Sequence, residues 1–488
     1  MLSGRNIHYE VSERTRGLDC GGIGAMQLLA QRSGLAAAID GNLHLLKRHL
    51  PYHESDHVLN IAYNILAGGT CLEDIEERRN NEVYLDALGA SRIPDPTTAG
   101  DFCRRFSVSD IEQLMATVNE VRLGVWASQP AEFFERAVIE ADGTLAPTYG
   151  QCKEGMDISF KGQWGYHPLV VSLANTGEVL YLVNRSGNRP SHEGAAQRFD
   201  AAIALCRRGG FQSILLRGDT DFTQTGELDR WDADGVGFLF GIDAMANLVQ
   251  IADALPQKAW KRLVRKPKYA VRTSERARPE NVKERIVRER GFENIRLFSE
   301  MVSEFEYQPA KCRKRYRVVV LCKNLTVAKG EQLLFDDLRY FFYITNDRSS
   351  SAAEIVEQAN GRCNQENLIE QLKNGAHAME MPVGDLVSNW AYMVMTSLAL
   401  TLKGWFALSL PETGRWAGKY KAQKSALLRM EFKKFLNCLM RIPCQIVRTG
   451  RRIVYRLLSW NPWSEVLLRG AEALRTSVVL PVRVVLRC

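Results

Sequence analysis

The sequence lacks the features that mark secreted, membrane-spanning and zinc-ribbon proteins. Its eleven cysteines are scattered, odd in number and free of any Cys-x-x-Cys pair, which predicts reduced thiols and argues against a disulfide framework. The first residues have no apolar signal-peptide core, and the longest strongly apolar run, Ala391 to Leu402, is too short to cross a bilayer. No Gly-x4-Gly-Lys-Ser/Thr loop is present, so ATP is not indicated. These absences predict a soluble cytoplasmic protein without membrane contact.

Positive charge is concentrated in two segments of an otherwise acidic chain. The net charge is +8, but residues 256–318 carry a local +11 and residues 415–488 a local +13, which leaves −16 on the remainder. Concentrated Lys and Arg favour docking on a phosphate backbone, where each neutralised phosphate releases a counterion. Solvated helix faces and a membrane-surface contact are the alternatives. Nucleic acid is favoured because aromatic residues are interspersed in both segments. They are Trp260, Tyr269, Tyr316, Tyr455, Trp460 and Trp463.

Residues 1–130 are predicted to form a helical N-terminal domain, since apolar residues there recur at three- and four-residue spacing. A segment with two prolines, residues 92–106, interrupts this pattern. Thr97 or Thr98 is expected to cap the next helix, from which Arg104 and Arg105 would project. A broken turn that leads into a basic helix suits a helix-turn-helix DNA reader, and a simple packing helix explains the pattern equally well.

From about residue 131 the pattern alternates between strands and helices. Residues 136–142, 167–173 and 179–184 are predicted as three successive strands. A helix at 195–207, a strand at 213–217, a helix at 223–234 and a strand at 236–241 follow. Three antiparallel strands followed by alternating helix and strand is the order of the ribonuclease H-like α/β fold. Residues 131–245 are therefore assigned to the first part of such a core.

The core is predicted to resume after an interruption. Residues 246–339 combine the basic stretch Lys258–Arg290 with several β-type runs, which predicts a basic β-rich insertion. Residues 340–405 are assigned to the second part of the core, with a strand at 340–346 and a serine-capped helix from Ser350 to Lys373. Residues 406–488 are predicted to form a basic helical C-terminal region.

Three carboxylates stand at informative places in this pattern. Asp142 ends the first predicted strand, and Asp219 directly follows the strand at 213–217. Glu366 lies on the late helix, where Arg362, Ile369 and Lys373 would share its face at helical spacing. Carboxylate oxygens are the ligands that Mg²⁺ prefers, and two such ions support phosphodiester cleavage. Each acid also has a simpler explanation: Asp142 as a turn former, Asp219 or Asp221 as a helix cap, and Glu366 as a surface ion-pairing residue.

The motifs around these acids resemble those of bacterial insertion-sequence transposases with an Asp-Asp-Glu triad. The similarity lies in Ala141-Asp-Gly-Thr144, Arg217-Gly-Asp-Thr-Asp-Phe222, Ile344-Thr-Asn346 and Arg362-x3-Glu366-x6-Lys373. The run at 94–98 and the segment 446–453 resemble the insertion sequence thirteen-eighty branch in particular. The chain departs from the family signature at Ala359, where the signature has Tyr, and at Asp221, where Gly is more common.

The resemblance implies a DNA transposase. Asp142, Asp219 and Glu366 would hold Mg²⁺, or Mn²⁺, and carry the catalysis, while Arg362, Lys373, Arg104 and Arg105 would contact DNA. The partners implied are double-stranded transposon ends and target DNA, with a homodimer in the complex and a location in the bacterial cytoplasm, on the nucleoid when DNA is bound. A catalytically silent, transposase-derived DNA-binding protein and a stand-alone ribonuclease H-like nuclease are the alternatives.

Overall fold

The computed structural model describes residues 9, 15–49, 51–150, 153–265, 295–327, 337–450 and 452–476. The strands are β1 (Gly17–Leu18), β2 (Arg136–Gly143), β3 (Ala146–Pro147), β4 (Asp157–Ile158), β5 (Trp164–Tyr166), β6 (Leu169–Leu173), β7 (Glu178–Val183), β8 (Ser213–Gly218), β9 (Gly237–Ile242), β10 (Lys261–Arg262), β11 (Ile295–Tyr307), β12 (Tyr316–Val327), β13 (Asp337–Thr345), β14 (Cys444–Thr449) and β15 (Arg452–Leu457).

The α-helices of the same ranges are α1 (Ile23–Arg32), α2 (Leu35–Asn42), α3 (Glu54–Leu66), α4 (Ile75–Arg79), α5 (Glu82–Leu88), α6 (Pro96–Cys103), α7 (Val108–Ala127), α8 (Ala195–Arg208), α9 (Leu228–Ala233), α10 (Ala246–Asp253), α11 (Ala352–Asn360), α12 (Cys363–Glu370), α13 (Leu386–Leu408), α14 (Ala417–Leu428), α15 (Phe432–Phe435) and α16 (Ser464–Thr476). Short 3-10 or π turns lie between several of them.

A nine-stranded sheet forms the centre of the described chain, in the order β10-β11-β12-β13-β9-β8-β2-β6-β7. β2 pairs antiparallel with β6, which pairs antiparallel with β7. On its other side β2 pairs parallel with β8, and β8 pairs parallel with β9. This is the ribonuclease H-like arrangement of three antiparallel strands continued by two parallel ones. The predicted fold class is confirmed, and the predicted core strands end within two residues of the observed ones.

The region expected as an insertion extends the same sheet. β13 pairs antiparallel with β9, and β12 and β11 follow as long antiparallel strands. The expected strand at 340–346 is the second half of β13. Most of the basic stretch Lys258–Arg290, with Tyr269, lies outside the described residues. Trp260 packs beside Tyr340 with 6.1 Å between ring centroids, so here it has a packing contact.

A buried carboxylate joins the edge of this sheet to two helices. Glu178, at the start of β7, is fully buried. Its oxygens accept hydrogen bonds from Arg122 Nε at 3.0 Å and Trp126 Nε1 at 3.1 Å, both on α7, and from Trp405 Nε1 at 2.8 Å on α13. Charge-assisted hydrogen bonds of this kind offset the cost of burying both charges. The N-terminal helical region is therefore bonded directly to the nine-stranded sheet through α7.

Helix α13 is the central helix of the protein. Leu386–Leu408 has the length and hydropathy to cross a membrane, yet residues 388–408 are buried inside the protein. It packs between β7, α3, α7 and α14. A helix that is apolar on every side belongs in the interior of a large protein.

The two chain ends differ from expectation in two details. Thr97 and Thr98 do not cap α6; Asp95 does, accepting from the Thr98 amide at 2.8 Å, because Pro96 at the first helical position needs no hydrogen-bond partner.

The C-terminal region was expected to be all helical and instead contains the β14–β15 hairpin. β14 pairs with β1, and Tyr455 Oη donates to the Ala87 carbonyl at 2.6 Å. The two terminal regions therefore pack on each other.

Candidate active site

Asp142 and Asp219 lie at the ends of two adjacent parallel strands. The register of β2 and β8 places Glu140 opposite Arg217, and each aspartate follows its partnered residue by two positions. β2 and β8 run parallel, and neighbouring strands are separated by about 4.8 Å. The two carboxylates therefore lie at the same end of these two strands. On the opposite side of β2, Asp142 pairs with Val170 of β6.

The surroundings of Asp142 and Asp219 disfavour negative charge on these two carboxyl groups. Burial, and next the charge of Asp219, raise the pKa of Asp142 to about 7. Burial also raises the pKa of Asp219, with a further contribution from Asp221, while Arg362 opposes the shift. Two buried acids whose pKa values are both raised form a site that a cation would stabilise.

Glu366 occupies the rim of the same site. The expected single helix from Ser350 to Lys373 is broken into α11 and α12, with a π turn, Gln371–Gly375, after them. The break lies at Gly361, which packs on the Arg217 guanidinium so closely that a Cβ atom has no room there. The chain turns at this point, and α12 then carries Glu366, whose side chain is 56 % exposed.

Arg362 lies between two of the three acids. Its Nη1 is 3.6 Å from Asp219 Oδ2, and its Nη2 is 3.7 Å from Glu366 Oε1. It stands at the break rather than on the face of a continuous helix, yet it reaches the site as the sequence predicted. In the structure its guanidinium provides the positive charge between Asp219 and Glu366.

Lys373 reaches the site from the π turn. Its Nζ donates to the Leu145 carbonyl at 2.6 Å, three residues beyond Asp142. Burial lowers its pKa, and the charges of Glu370 and Asp142 oppose that shift. Lys373 and Arg362 therefore place two cations around the acidic pair, as the spacing indicated.

The donor set fits a divalent cation of the Mg²⁺ type. Asp142 and Asp219 supply carboxylate oxygens at adjacent strand ends, which is the ligand type that hard divalent ions require. Within the described ranges no group of three acidic, histidine or cysteine side chains is gathered closely enough to hold a metal ion. The structure thus brings Asp142 and Asp219 together and leaves Glu366 on the far side of Arg362.

Other predicted site residues have simpler surroundings. Arg104 ends α6 and forms an exposed ion pair with Asp101 at 2.7 Å, and Arg105 follows it at the surface. Their role in DNA binding stays a prediction. Asp221 is exposed, and its amide donates to Asp219 Oδ1 at 3.0 Å. Ala359 is buried against the sheet beside Leu215 and Ile355, so the position where the family signature has Tyr faces the core in this chain.

Two buried supports of the site were not identified from the sequence. Arg217 Nε donates to Glu140 Oε1 at 2.7 Å, and its Nη1 donates to the Gln358 carbonyl at 2.7 Å. Gln365 Nε2 donates to the Val170 carbonyl at 3.0 Å, and its amide oxygen accepts from Ser172 Oγ. Val170 is the register partner of Asp142, so Gln365 fixes α12 to the strand beside the first aspartate. The sequence did hold one signal of the first support, since Glu140 and Arg217 are charged residues within two predicted core strands.

The raised pKa of Asp142 predicts that Asp142→Asn stabilises the metal-free protein. In the folded state this group binds its proton more tightly than in the unfolded state, so its stabilising contribution is present below about pH 4 and is lost as pH rises through 7. The variant should gain about 1–2 kcal/mol at pH 8.5 and less at pH 5.5, because the partly open site weakens the full effect. Chemical denaturation in EDTA measures this difference. Asp221→Asn, at an exposed position, should give a smaller gain, because it relieves only the repulsion between Asp221 and Asp219. A gain at Asp142→Asn that is independent of pH would contradict the account.

A comparison with protein-family models identifies the family of this chain. Residues 18–479 match the sequence model of a family described as transposase DDE domain group 1. A comparison with curated proteins found no significant match. Among solved structures, a cryo-EM structure of a piggyBac transposase synaptic complex with hairpin DNA aligns with 10 % identity and a TM-score of 0.34, over 87 % of this chain and 83 % of that one. Because the family match spans nearly the whole sequence, the chain belongs to the transposase DDE domain family.

Proposed function

We propose that the protein is a DNA transposase that binds the terminal inverted repeats of its insertion sequence, cleaves DNA at those ends and joins the freed 3′-hydroxyl ends to target DNA. The observation that carries the proposal is the position of Asp142 and Asp219 at the ends of the adjacent parallel strands β2 and β8, in a chain of the DDE family. Glu366 and Arg362 complete the charged surface beside them.

Asp142, Asp219 and Glu366 would hold Mg²⁺, with Mn²⁺ as a substitute. When bound, the ions would neutralise charge on the attacking and leaving oxygens of an in-line displacement. The protein's own contribution is positional. β2 and β8 hold the two aspartates at a fixed separation, and Gln365 holds the helix of Glu366 on β6. Such preorganisation is the main protein contribution to phosphoryl transfer.

Arg362 is proposed to exchange partners when DNA binds. Its guanidinium now faces Asp219 and Glu366, and a phosphate that approaches the acidic pair would offer it a bidentate acceptor. Lys373 would contribute a second cation. Arg104 and Arg105, with the basic segments, would bind the phosphate backbone farther from the reacting group.

Arg362→Ala should therefore affect chemistry more than binding. We expect single-turnover cleavage to slow by about ten- to a hundredfold, because one charge-assisted phosphate contact is lost. Affinity for the end DNA should change by less than about threefold, since many other Lys and Arg residues remain. Arg362→Lys should recover only part of the rate, because Lys lacks the bidentate geometry. A binding defect as large as the rate defect would contradict this role.

The partners and location follow from the same proposal. The protein would act on double-stranded transposon ends and target DNA, as a homodimer in the complex. It would work in the bacterial cytoplasm, on the nucleoid when DNA is bound.

A strand-transfer assay tests the proposal. Purified protein, a labelled duplex with the terminal repeats of its element, a supercoiled target plasmid and Mg²⁺ should yield labelled joined product. Cutting without joining and without dependence on the end sequence would favour a stand-alone nuclease. A shifted but uncut duplex would favour a silent DNA-binding protein. Either outcome contradicts the proposed function.

A further inference from the structure

A small β-ribbon lies directly beside the candidate active site. β3, β5 and β4 form a separate three-stranded sheet, built from the segment of the chain that connects β2 to β6. The ribbon begins three residues after Gly143, where the Thr144 amide donates to the Pro168 carbonyl at 2.9 Å. The Leu145 carbonyl accepts the hydrogen bond from Lys373. The base of the ribbon is therefore part of the site's wall.

A second set of contacts fixes the orientation of the ribbon. Lys153 Nζ donates to Thr148 Oγ1 at 2.7 Å and to the Met381 carbonyl, and the Glu154 amide donates to the Gly384 carbonyl at 2.8 Å. These bonds join the ribbon to the segment that follows the Glu366 helix. The ribbon is therefore bonded both to Lys373, at its base, and to the segment that follows the Glu366 helix.

The far end of the ribbon exposes large apolar side chains. Ile158 and Trp164 are directly paired across β4 and β5, so their side chains leave the same face. Phe160 stands at the turn between these strands, which the Ser159 amide closes by donating to the Gln163 carbonyl at 2.8 Å. The exposed fractions are 83 % for Phe160, 56 % for Trp164 and 48 % for Ile158. The hydrogen bond across this turn holds the rings at the surface, and they can be buried only against a partner molecule.

A cation, Lys161, lies beside one of these rings. Lys161 Nζ lies 5.4 Å from the centroid of the Phe160 ring. Its charge also acts on Lys373, adding to the lowering of that pKa, which burial dominates. Aromatic rings beside cations, next to a site for phosphodiester chemistry, match the requirements of a nucleotide strand with unpaired bases.

We propose that the ribbon residues Phe160 and Trp164 form a stacking platform for unpaired bases of the DNA strand that the site receives. Lys161 would contact the backbone of the same strand. The inference rests on the proposed function, because it specifies the strand that the site receives. It assigns to these rings a preference for bases that lie outside a duplex, since paired bases have no free face to stack on.

The test compares three fluorescent probes with the full-length protein in EDTA, so that no catalysis is involved. The probes are a 20-residue oligothymidylate, an abasic oligonucleotide of the same length and a 20-base-pair duplex. Wild-type protein should bind oligothymidylate at least about tenfold more tightly than the abasic strand, because each stacked base contributes measurably. The Phe160→Ala/Trp164→Ala double variant should bind both single strands alike and keep its duplex affinity within about twofold. Trp164→Phe should retain the preference for bases.

Trp416→Ala is the matched control, since Trp416 is also a tryptophan with 57 % exposure beside an arginine, on the C-terminal region. It should leave all three affinities unchanged. Equal wild-type affinity for the oligothymidylate and abasic strands would overturn the proposal. So would a loss of self-association in the double variant with single-strand binding unchanged, which would assign the rings to a second copy of the chain. Absence of duplex binding by the wild type would instead overturn the proposed function.

Discussion

Asp219→Asn should abolish DNA cleavage while the protein still binds its end DNA. Asp219 directly follows β8, the strand that pairs parallel with the strand of Asp142, and the substitution removes one carboxylate from the pair that would hold the metal. Loss of a metal ligand removes several kcal/mol of transition-state stabilisation, which corresponds to a rate decrease of about a thousandfold or more. Single-turnover cleavage of a terminal-repeat duplex in Mg²⁺ measures the rate, and a gel-shift titration in Ca²⁺ measures the affinity.

Asp221→Asn is the matched control for this prediction. The change of charge is the same, but Asp221 is exposed on the turn after β8 and has only its amide bonded to Asp219. Its cleavage rate should stay within about threefold of wild type. If the Asp219 variant cut normally and the Asp221 variant were inactive, the second acidic ligand would be Asp221.

Arg217→Ala should produce the largest loss of stability around the site. Arg217 and Glu140 form an ion pair at 2.7 Å in which Glu140 is almost completely buried. Removal of the guanidinium leaves an uncompensated buried carboxylate and also removes the hydrogen bond to the Gln358 carbonyl. Breaking such a pair costs about 3–5 kcal/mol. Urea unfolding should show this decrease in the free energy of unfolding.

The pH dependence distinguishes this mechanism from simple loss of packing. Burial raises the pKa of Glu140, and Arg217 is the main group that opposes the rise. Without Arg217 the folded protein should bind a proton at Glu140 more tightly, so the variant should lose stability relative to wild type as pH rises from 5 to 8. Arg230→Ala, at a surface pair with Asp200, is the control. It should cost about 0–1 kcal/mol. A pH-independent Arg217 defect would contradict the ion-pair explanation.

The core strands were predictable because β2, β6 and β8 are short apolar runs bounded by turn residues. The ends of two of these runs located Asp142 and Asp219. The β-hairpin near the C-terminus was missed because β14 is stabilised by pairing with β1, more than four hundred residues away in the sequence. Pairing between segments so far apart is not visible in a local sequence pattern.

The details of the site depended on long-range contacts in the same way. The spacing of Arg362, Glu366 and Lys373 indicated one helical face, but the helix is interrupted at Gly361, where Arg217 of a distant strand packs against the glycine. Gln365 could not be singled out, since its importance lies in its bond to the Val170 carbonyl. Residue types predicted the acids and cations of the site, while the supports that position them required the fold.

The central claim is that Asp142, Asp219 and Glu366 form one metal-binding site on DNA. The most direct measurement is anomalous scattering from Mn²⁺ in crystals of the protein bound to its terminal-repeat duplex. The account predicts a Mn²⁺ peak bonded to carboxylate oxygens of Asp142 and Asp219, with Glu366 completing the site and Arg362 on a DNA phosphate. Mn²⁺ bound only at other residues, with Asp142 and Asp219 free of metal in a complex that cleaves DNA when activated, would contradict it.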